Sequence, residues 1–293
     1  MKAFLWVIAM VLLPALLVCA QVSVELVMDE DRLVAGEPVV VGVRITNLSG
    51  QTLLLGKQAD WVTFSVESKE NFIIPKLAEA DTVGEFTVAS AKVATRRVDL
   101  APAYLLTAPG RYTVTATVAI PQWDRLLTSD PKKFDIITGT RLWEQVFGVP
   151  NADGGTAPPD ERKYALLQAM HQGHMRLHVR LSDKLESKVL RVLALGEMVS
   201  FGNPAHEMDK TSNLHVLWQT PIRAARSFGY IVISPQGDVI RREIYDYSTT
   251  RPGLKFDQDG NVAVVGGLRR ITPTDIPAAS APDSGSQAKP LTP

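Results

Sequence analysis

The sequence predicts an all-β protein in which an N-terminal antiparallel sandwich over residues 21–139 is followed by a second antiparallel β module over residues 162–271. Apolar and β-branched residues alternate with polar residues in many short runs, most clearly in RYTVTATVAI (111–120). This alternation is typical of strands with one face on a core. Segments rich in Gly, Pro, Asn and Asp separate the runs. Helical patterns do not alternate with the strands, so we do not expect a parallel α/β fold.

The first twenty residues have the features of a secretory signal peptide. Lys2 precedes an apolar stretch over residues 3–18, and Val-Cys-Ala at residues 18–20 fits a signal peptidase site, which predicts cleavage after Ala20. Lipidation at Cys19 is an alternative, although Val18 stands where a lipobox has a small residue. Retention as a short anchor is another. With cleavage, the chain is exported to the periplasm, cell surface or extracellular space and keeps no membrane span.

The composition excludes several kinds of chemistry. Cys19 is the single cysteine, so the cleaved chain has no disulfide, thiolate nucleophile or cysteine metal ligand. The lack of disulfides favours a bacterial envelope over an animal secretory route. The 31 basic and 31 acidic residues balance, and no segment is polybasic, so nucleic acid is not an expected partner. The chain has no Gly-x-Gly-x-x-Gly or Walker motif, and no cofactor is predicted.

The first module has the strand density of an antiparallel sandwich. Its strands are expected at residues 22–28, 39–45, 51–55, 61–66, 84–91, 94–100, 111–120 and 132–137. Two stretches, LLTAPGRYTVTATV (105–118) and AGEPVVVGVRITNLSG (35–50), resemble the immunoglobulin-like and fibronectin type III-like sandwiches of bacterial exported proteins. The resemblance implies a sandwich fold for this module and leaves its function open, since such folds host many functions.

Three other segments of the chain have distinct patterns. Apolar pairs four residues apart in TRLWEQVFG (140–148) predict a short connecting helix that ends at Gly148. A linker rich in Gly, Pro and Asp follows, so that helix and linker together occupy residues 140–161. The final segment, 272–293, is rich in proline and poor in large apolar residues, and we expect it to be disordered.

The second module contains a short segment that recurs. MRLHVRLS (175–182), SNLHVLWQ (212–219) and GNVAVVGG (260–267) align, and the last two, with SPQGDVI, resemble strands and turns of bacterial β-propeller blades. Two or three blades cannot close a propeller. The module is therefore expected to be a curved sheet packed on the first module or on itself, an incomplete propeller that an oligomer completes, or a second sandwich.

The five histidines all lie in the second half of the chain. His171, His174 and His178 invite a metal site, but on strands joined by a hairpin His174 and His178 are too far apart to share an ion. We therefore expect no metal site and surface histidines at this hairpin. His215 is expected to be a framework residue on the strand face opposite Leu214, Val216 and Trp218.

The carboxylates Glu243, Asp246, Asp257 and Asp259 are the residues that would suit glycoside hydrolysis. The pattern favours a structural role, because DQDGN (257–261) is a turn and because Glu243 and Asp246 are expected on a solvated strand face beside two arginines. No Gly-x-Ser-x-Gly marks a serine nucleophile. No catalytic residue is predicted.

Aromatic residues are the predicted ligand contacts. Trp123 lies in a loop without an obvious core role, and Tyr245 and Tyr247 are expected on one strand face. The sequence therefore predicts an exported, non-catalytic binding or structural protein of the cell envelope, with a protein or glycan partner. A carbohydrate-active enzyme or glycan-binding module is the alternative, and an oligomer is a further possibility.

Overall fold

The computed structural model describes residues 22–69, 72–149, 160–221 and 226–276. These residues form an all-β protein of antiparallel sheets, with only two short 3₁₀ turns at Ala59–Trp61 and Pro121–Trp123. The all-β prediction is confirmed. The described part of the chain has no helix long and apolar enough to cross a membrane. The predicted signal peptide (1–20) and most of the predicted linker and tail lie outside the described residues.

The chain forms two compact units. Unit 1 is Met1–Leu33 with Pro38–Ile136, and unit 2 is Val34–Glu37 with Ile137–Pro293. The first ten strands are β1 (Val22–Val27), β2 (Arg32–Val34), β3 (Val40–Asn47), β4 (Leu53–Leu55), β5 (Val62–Ser68), β6 (Phe86–Val88), β7 (Lys92–Asp99), β8 (Gly110–Ile120), β9 (Arg125–Thr128) and β10 (Lys132–Ile137). They form one sheet in the order β1-β3-β7, a second in the order β2-β10-β8-β5 with β9 beside β8, and a β4-β6 ribbon.

Strand β8 has the alternation that the sequence predicts. Its five alternate apolar side chains are almost completely buried; they are Tyr112, Val114, Ala116, Val118 and Ile120. The Tyr112 hydroxyl donates to the carbonyl of Ala108, 2.7 Å away, as a conserved tyrosine does in many Greek-key sandwiches. The strands β1, β3 and β7 of one sheet pair antiparallel, and so do β10, β8 and β5 of the other. The family resemblance itself stays a prediction.

Unit 2 contains two larger sheets and a ribbon. Its strands are β11 (Thr140–Val149), β12 (Asp160–His171), β13 (His174–Asp183), β14 (Val189–Glu197), β15 (Ala205–Met208), β16 (Leu214–Gln219), β17 (Ser227–Ile233), β18 (Val239–Asp246), β19 (Gly253–Phe256), β20 (Val262–Val265) and β21 (Leu268–Arg270). The sheets have the orders β11-β12-β13-β14 and β15-β16-β17-β18-β21, and β19 pairs with β20. Tyr164 and Leu166 of one sheet and Val216 and Ile231 of the other belong to one buried cluster. Unit 2 is therefore built as a second sandwich.

Two predictions on connecting segments are wrong. Residues 140–148 are strand β11, paired with β12, and not a helix. A spacing of four residues suits a strand as well as a helix, because four is a multiple of two, and Trp143 and Phe147 both reach the core of unit 2 from one face of β11. Disorder from Thr272 onward is also wrong over residues 272–276, since Ile276 exchanges backbone hydrogen bonds with Arg242 of β18.

Three hairpin turns of unit 2 have one hydrogen-bond pattern. In residues 209–213, 234–238 and 257–261, the first amide donates to the fifth carbonyl, and the fourth amide donates to the first carbonyl. The fourth residue of each turn has a left-handed backbone, with φ of 63° at Ser212, 89° at Gly237 and 75° at Gly260. The recurring segments around residues 212 and 260 thus have a shared turn as their physical basis. Residues 172–173, which precede the first copy, form a shorter turn.

Candidate functional site

The candidate site is a cleft of about 380 Å³ in unit 2. It lies on the face of β16, β17 and β18 that points away from the buried cluster of the two sheets. The β19-β20 ribbon covers the neighbouring part of this face, where Leu254 and Val264 pack against Leu217, Phe228 and Tyr230. The residues that line the cleft are Asp209, Asn213, His215, Val232, Ile240, Arg241, Asn261 and Val262.

A β-bulge shapes one wall of the cleft. Val232 of β17 pairs with Arg241 of β18, whereas the next residue, Ile233, pairs with Val239. Ile240 is thus an extra residue in β18 that has no partner in β17. A regular strand would direct Ile240 and Arg241 to opposite faces of the sheet. Because of the bulge, both side chains line the cleft.

His215 is the buried polar residue of the cleft. Its Nε2 lies 3.2 Å from Oδ2 of Asp209, and its Nδ1 lies 2.7 Å from the hydroxyl of Tyr230. Burial lowers the pKa of His215 below its usual value and outweighs the opposing effect of Asp209. The neutral ring therefore donates from Nε2 to the Asp209 carboxylate and accepts at Nδ1 the hydroxyl proton of Tyr230. Both nitrogens are occupied within the chain.

Asp209 is held in its ionised form by the turn that it begins. Its Oδ1 accepts the amide protons of Thr211 and Asn213, both at 2.9 Å, and the Thr211 hydroxyl at 2.8 Å. Its Oδ2 accepts from Asn213 Nδ2 at 2.9 Å and from His215. Burial alone would raise the pKa of Asp209, but these hydrogen bonds keep it below its usual value. The carboxylate has no lone pair left for a ligand.

Tyr230 extends this network along the sheet. Burial raises the pKa of Tyr230 to about 12, so its hydroxyl stays protonated, although the positive charge of the Arg241 guanidinium opposes that rise. Directly across from Tyr230 in β18, Glu243 accepts the hydroxyl proton of Tyr245 at 2.7 Å and lies 3.4 Å from Arg269. Burial, followed by the hydrogen bond to Glu243, raises the pKa of Tyr245 well above its usual range. His215 with Tyr230, and Tyr245 with Glu243, thus form two hydrogen-bonded pairs next to each other on this face.

Among the described residues, none of the four predicted carboxylates belongs to the lining of the cleft beside His215. Glu243 is only 6% exposed, so its prediction as a solvated residue is wrong, because Tyr245 and Arg269 cover it. Asp246, an odd number of residues away, is on the opposite side of β18 and bonds to Ser227 and Arg270. Asp257 accepts the amide protons of Asp259 and Asn261 within its own turn, as the sequence predicts for a structural role.

The histidine hairpin and the exposure of His174 are confirmed, whereas His171 and His178 are buried. His171 pairs with His174 at the end of β12 and β13. His174 is exposed, whereas His178 is only 3% exposed and its Nε2 lies 3.3 Å from Oε1 of Glu37. The loop that contains Glu37 covers this face of β13, which local sequence does not reveal. Among the described residues, no group of three or more His, Cys, Asp or Glu is placed to hold a metal ion.

The predicted aromatic contacts lie in different surroundings. Trp123 of unit 1 is half-buried, and its Nε1 lies 3.4 Å from Oε1 of Gln51. A mostly apolar cavity of about 240 Å³ has Pro121 and Gln122 in its wall but not Trp123. In unit 2, Tyr245 packs against the buried residues of β16 and β17 and its hydroxyl is bound to Glu243. Tyr247 is exposed, and the Arg226 guanidinium lies 5.8 Å from its ring.

Sequence reasoning singled out His215 but missed the residues that make it part of a site. Asp209, Tyr230 and Arg241 reach it from the turn before β16 and from two other strands. One local signal existed for Asp209: DKTSN (209–213) has the Asp-to-Asn spacing of DQDGN, which the sequence does identify as a turn. Tyr230 and Arg241 depend on strand register, for which a single sequence offers no comparable signal.

The comparisons with known proteins add little. No family model and no curated protein matches this chain. Among solved structures, it is similar to the crystal structure of Spo0M, a sporulation control protein from Bacillus subtilis, with 8% sequence identity and a TM-score of 0.28. The similarity covers 58% of this chain and 82% of that chain. At this TM-score the likeness carries no argument about fold or function.

Proposed function

We propose that the protein is an exported, non-catalytic binding protein of the cell envelope, and that the cleft beside His215 is its ligand site. One observation carries this proposal. The cleft is open, and the groups in it that could transfer a proton are already hydrogen-bonded to other groups of the chain. Asp209 is saturated, and His215 and Tyr230 hydrogen-bond to each other. Such a rigid polar wall presents a fixed shape to a ligand and has no group ready to accept a proton from it.

The size and lining of the cleft suit a small molecule. Its volume of about 380 Å³ falls within the range of ligand pockets, which combine apolar walls with a few fixed polar groups. Val232, Ile240 and Val262 form the apolar part. Export is proposed from the N-terminal sequence alone. A glycan-binding or carbohydrate-active role is less well supported, because no aromatic side chain lines this cleft in the described part of the chain.

Ligand-dependent thermal stabilisation tests the proposal. The chain from Gln21 onward is screened against small metabolites and oligosaccharides, and at least one compound is expected to raise its melting temperature by mass action. Ile240→Trp, which fills the cleft, should abolish that rise. Leu268→Trp is the matched control, because Leu268 is 67% exposed on β21 of the same sheet and is not part of the cleft wall.

Two results would contradict this function. Stabilisation that survives Ile240→Trp would place the ligand elsewhere. Turnover of any glycan, ester or peptide by the purified chain, lost in His215→Gln, would make the cleft catalytic. Mass spectrometry of the secreted protein tests export separately, since cleavage after Ala20 leaves a chain that begins at Gln21.

A further inference from the structure

The guanidinium of Arg241 in the cleft has N–H donors that are not used in hydrogen bonds with the described residues. The Nε of Arg241 is 4.0 Å from Oε1 of Glu243, which is too long for a hydrogen bond. Glu243 is closer to Arg269, at 3.4 Å. A guanidinium has five N–H donors in a planar fork. In the part of the chain that the structure describes, most donors of Arg241 have no partner, and its side chain is 36% exposed.

The other polar groups of the cleft do not compete for the same ligand atoms. Asp209 has five donors on its two oxygens, and each nitrogen of His215 has one partner. Asn213 and Asn261 use their Nδ2 groups within their own turns. An incoming cation would therefore find no free carboxylate. An incoming anion would find the unused donors of Arg241.

The geometry points to a ligand with an anionic head and an apolar body: we propose that the cleft binds a small amphipathic carboxylate. Arg241 binds the carboxylate through its fork of N–H groups. Val232, Ile240 and Val262 contact the apolar body. The bulge at Ile240 is what places the cation and an apolar wall side by side. This inference rests on the proposed binding function and adds the chemical class of the ligand.

Isothermal titration calorimetry with octanoate and octanamide tests the inference. The two probes share an apolar body and differ in charge, so the fork of Arg241 should favour octanoate by at least tenfold in Kd. Acetate, which lacks the body, should bind much more weakly than octanoate. Arg241→Gln should reduce the octanoate affinity at least tenfold and leave octanamide binding unchanged, which also shows that the cleft is intact.

Arg242→Gln is the matched control. Arg242 is the next residue of β18 and lies opposite Ile231, which belongs to the buried cluster on the other side of the sheet. This variant should bind octanoate like the parent chain. Equal affinity for octanoate and octanamide, or equal losses in the two arginine variants, would overturn the carboxylate inference while leaving the binding function intact. Failure of both probes to bind would overturn it as well, and the Ile240→Trp screen would then decide the binding function alone.

Discussion

Protonation of His215 is unfavourable because each of its ring nitrogens has a partner that fixes its role. Asp209 accepts from Nε2, and the Tyr230 hydroxyl donates to Nδ1. A second ring proton would force the Tyr230 hydroxyl to turn away, and it would place a buried positive charge near Arg241. The contacts of His215 with Asp209 and Tyr230 therefore make the stability of the folded chain depend on pH.

His215→Gln should flatten the pH dependence of stability. Because the pKa of His215 is lower in the folded chain than its usual 6.5, the unfolded chain binds a proton first as the pH falls. The free energy of unfolding of the parent chain should then decrease below about pH 6.5, and this part of the decrease should vanish in the variant. Urea denaturation between about pH 7.5 and 5.5 measures it. His174→Gln, which removes an exposed histidine outside the cleft, is the control. An unchanged profile in His215→Gln would contradict the assignment of a neutral ring.

The sequence could predict which face of β16 meets the core, but not what covers its other face. Leu214, Val216 and Trp218 lie in the buried cluster, as their alternation predicts. His215 and Leu217 are also buried, at 6% and 3% exposure. Alternation distinguishes the two faces of a strand and does not show whether a second layer lies over one of them. Here that cover comes from residues more than thirty positions later in the chain.

Trp218 pairs with a glycine in the second sheet of unit 2. Gly229 of β17 lies directly opposite Trp218 of β16. A Cβ atom at residue 229 would lie 2.5 Å from Cζ2 of the indole ring. The indole Nε1 donates to the carbonyl of Glu197, 3.1 Å away, so the ring cannot shift freely. A glycine in this strand is required for close packing.

Gly229→Ala should lower the free energy of unfolding by about 1–3 kcal/mol through overpacking. Gly253→Ala in β19 is the control, since no heavy atom lies within 4 Å of a Cβ built there. Its stability should stay within about 0.5 kcal/mol of the parent chain. Urea denaturation followed by tryptophan fluorescence measures both variants. Equal stabilities of the two alanine variants would show that Trp218 does not pack on residue 229.

The two units show where sequence order and spatial organisation differ. The sequence assigns residues 21–139 to one module, yet Val34–Glu37 belongs to unit 2. Val34 packs with Ala165, Leu167 and Val192 of the β12 and β14 strands. The tendency of consecutive residues to share a module is a good general guide. A segment of four residues is too short to have a periodicity of its own. The sequence pattern therefore could not reveal that Val34–Glu37 belongs to unit 2.

Glu37 connects the Val34–Glu37 segment to the interior of unit 2. Its Oε2 accepts the amide proton of Val34, and its Oε1 lies 3.3 Å from Nε2 of His178. Nδ1 of His178 is buried and has no hydrogen-bond partner in the part of the chain that the structure describes. Loss of the Glu37 carboxylate would leave both ring nitrogens without a partner in a site that excludes water.

Glu37→Ala should therefore destabilise unit 2 by about 1–3 kcal/mol, although residue 37 lies among residues of unit 1 in the sequence. Hydrogen exchange locates the effect: amides of β12 and β13 should exchange faster, whereas those of β8 in unit 1 should keep their parent rates. Glu25→Ala, which removes an exposed pair with Arg44, should change neither set.

Two outcomes would contradict this prediction. Equal acceleration of β8 and β13 would mean that the two units unfold as one. Unchanged rates in β13 would mean that the Glu37–His178 pair contributes nothing to unit 2. A rise confined to β12 and β13 requires that a segment from the first forty residues is part of the C-terminal sandwich.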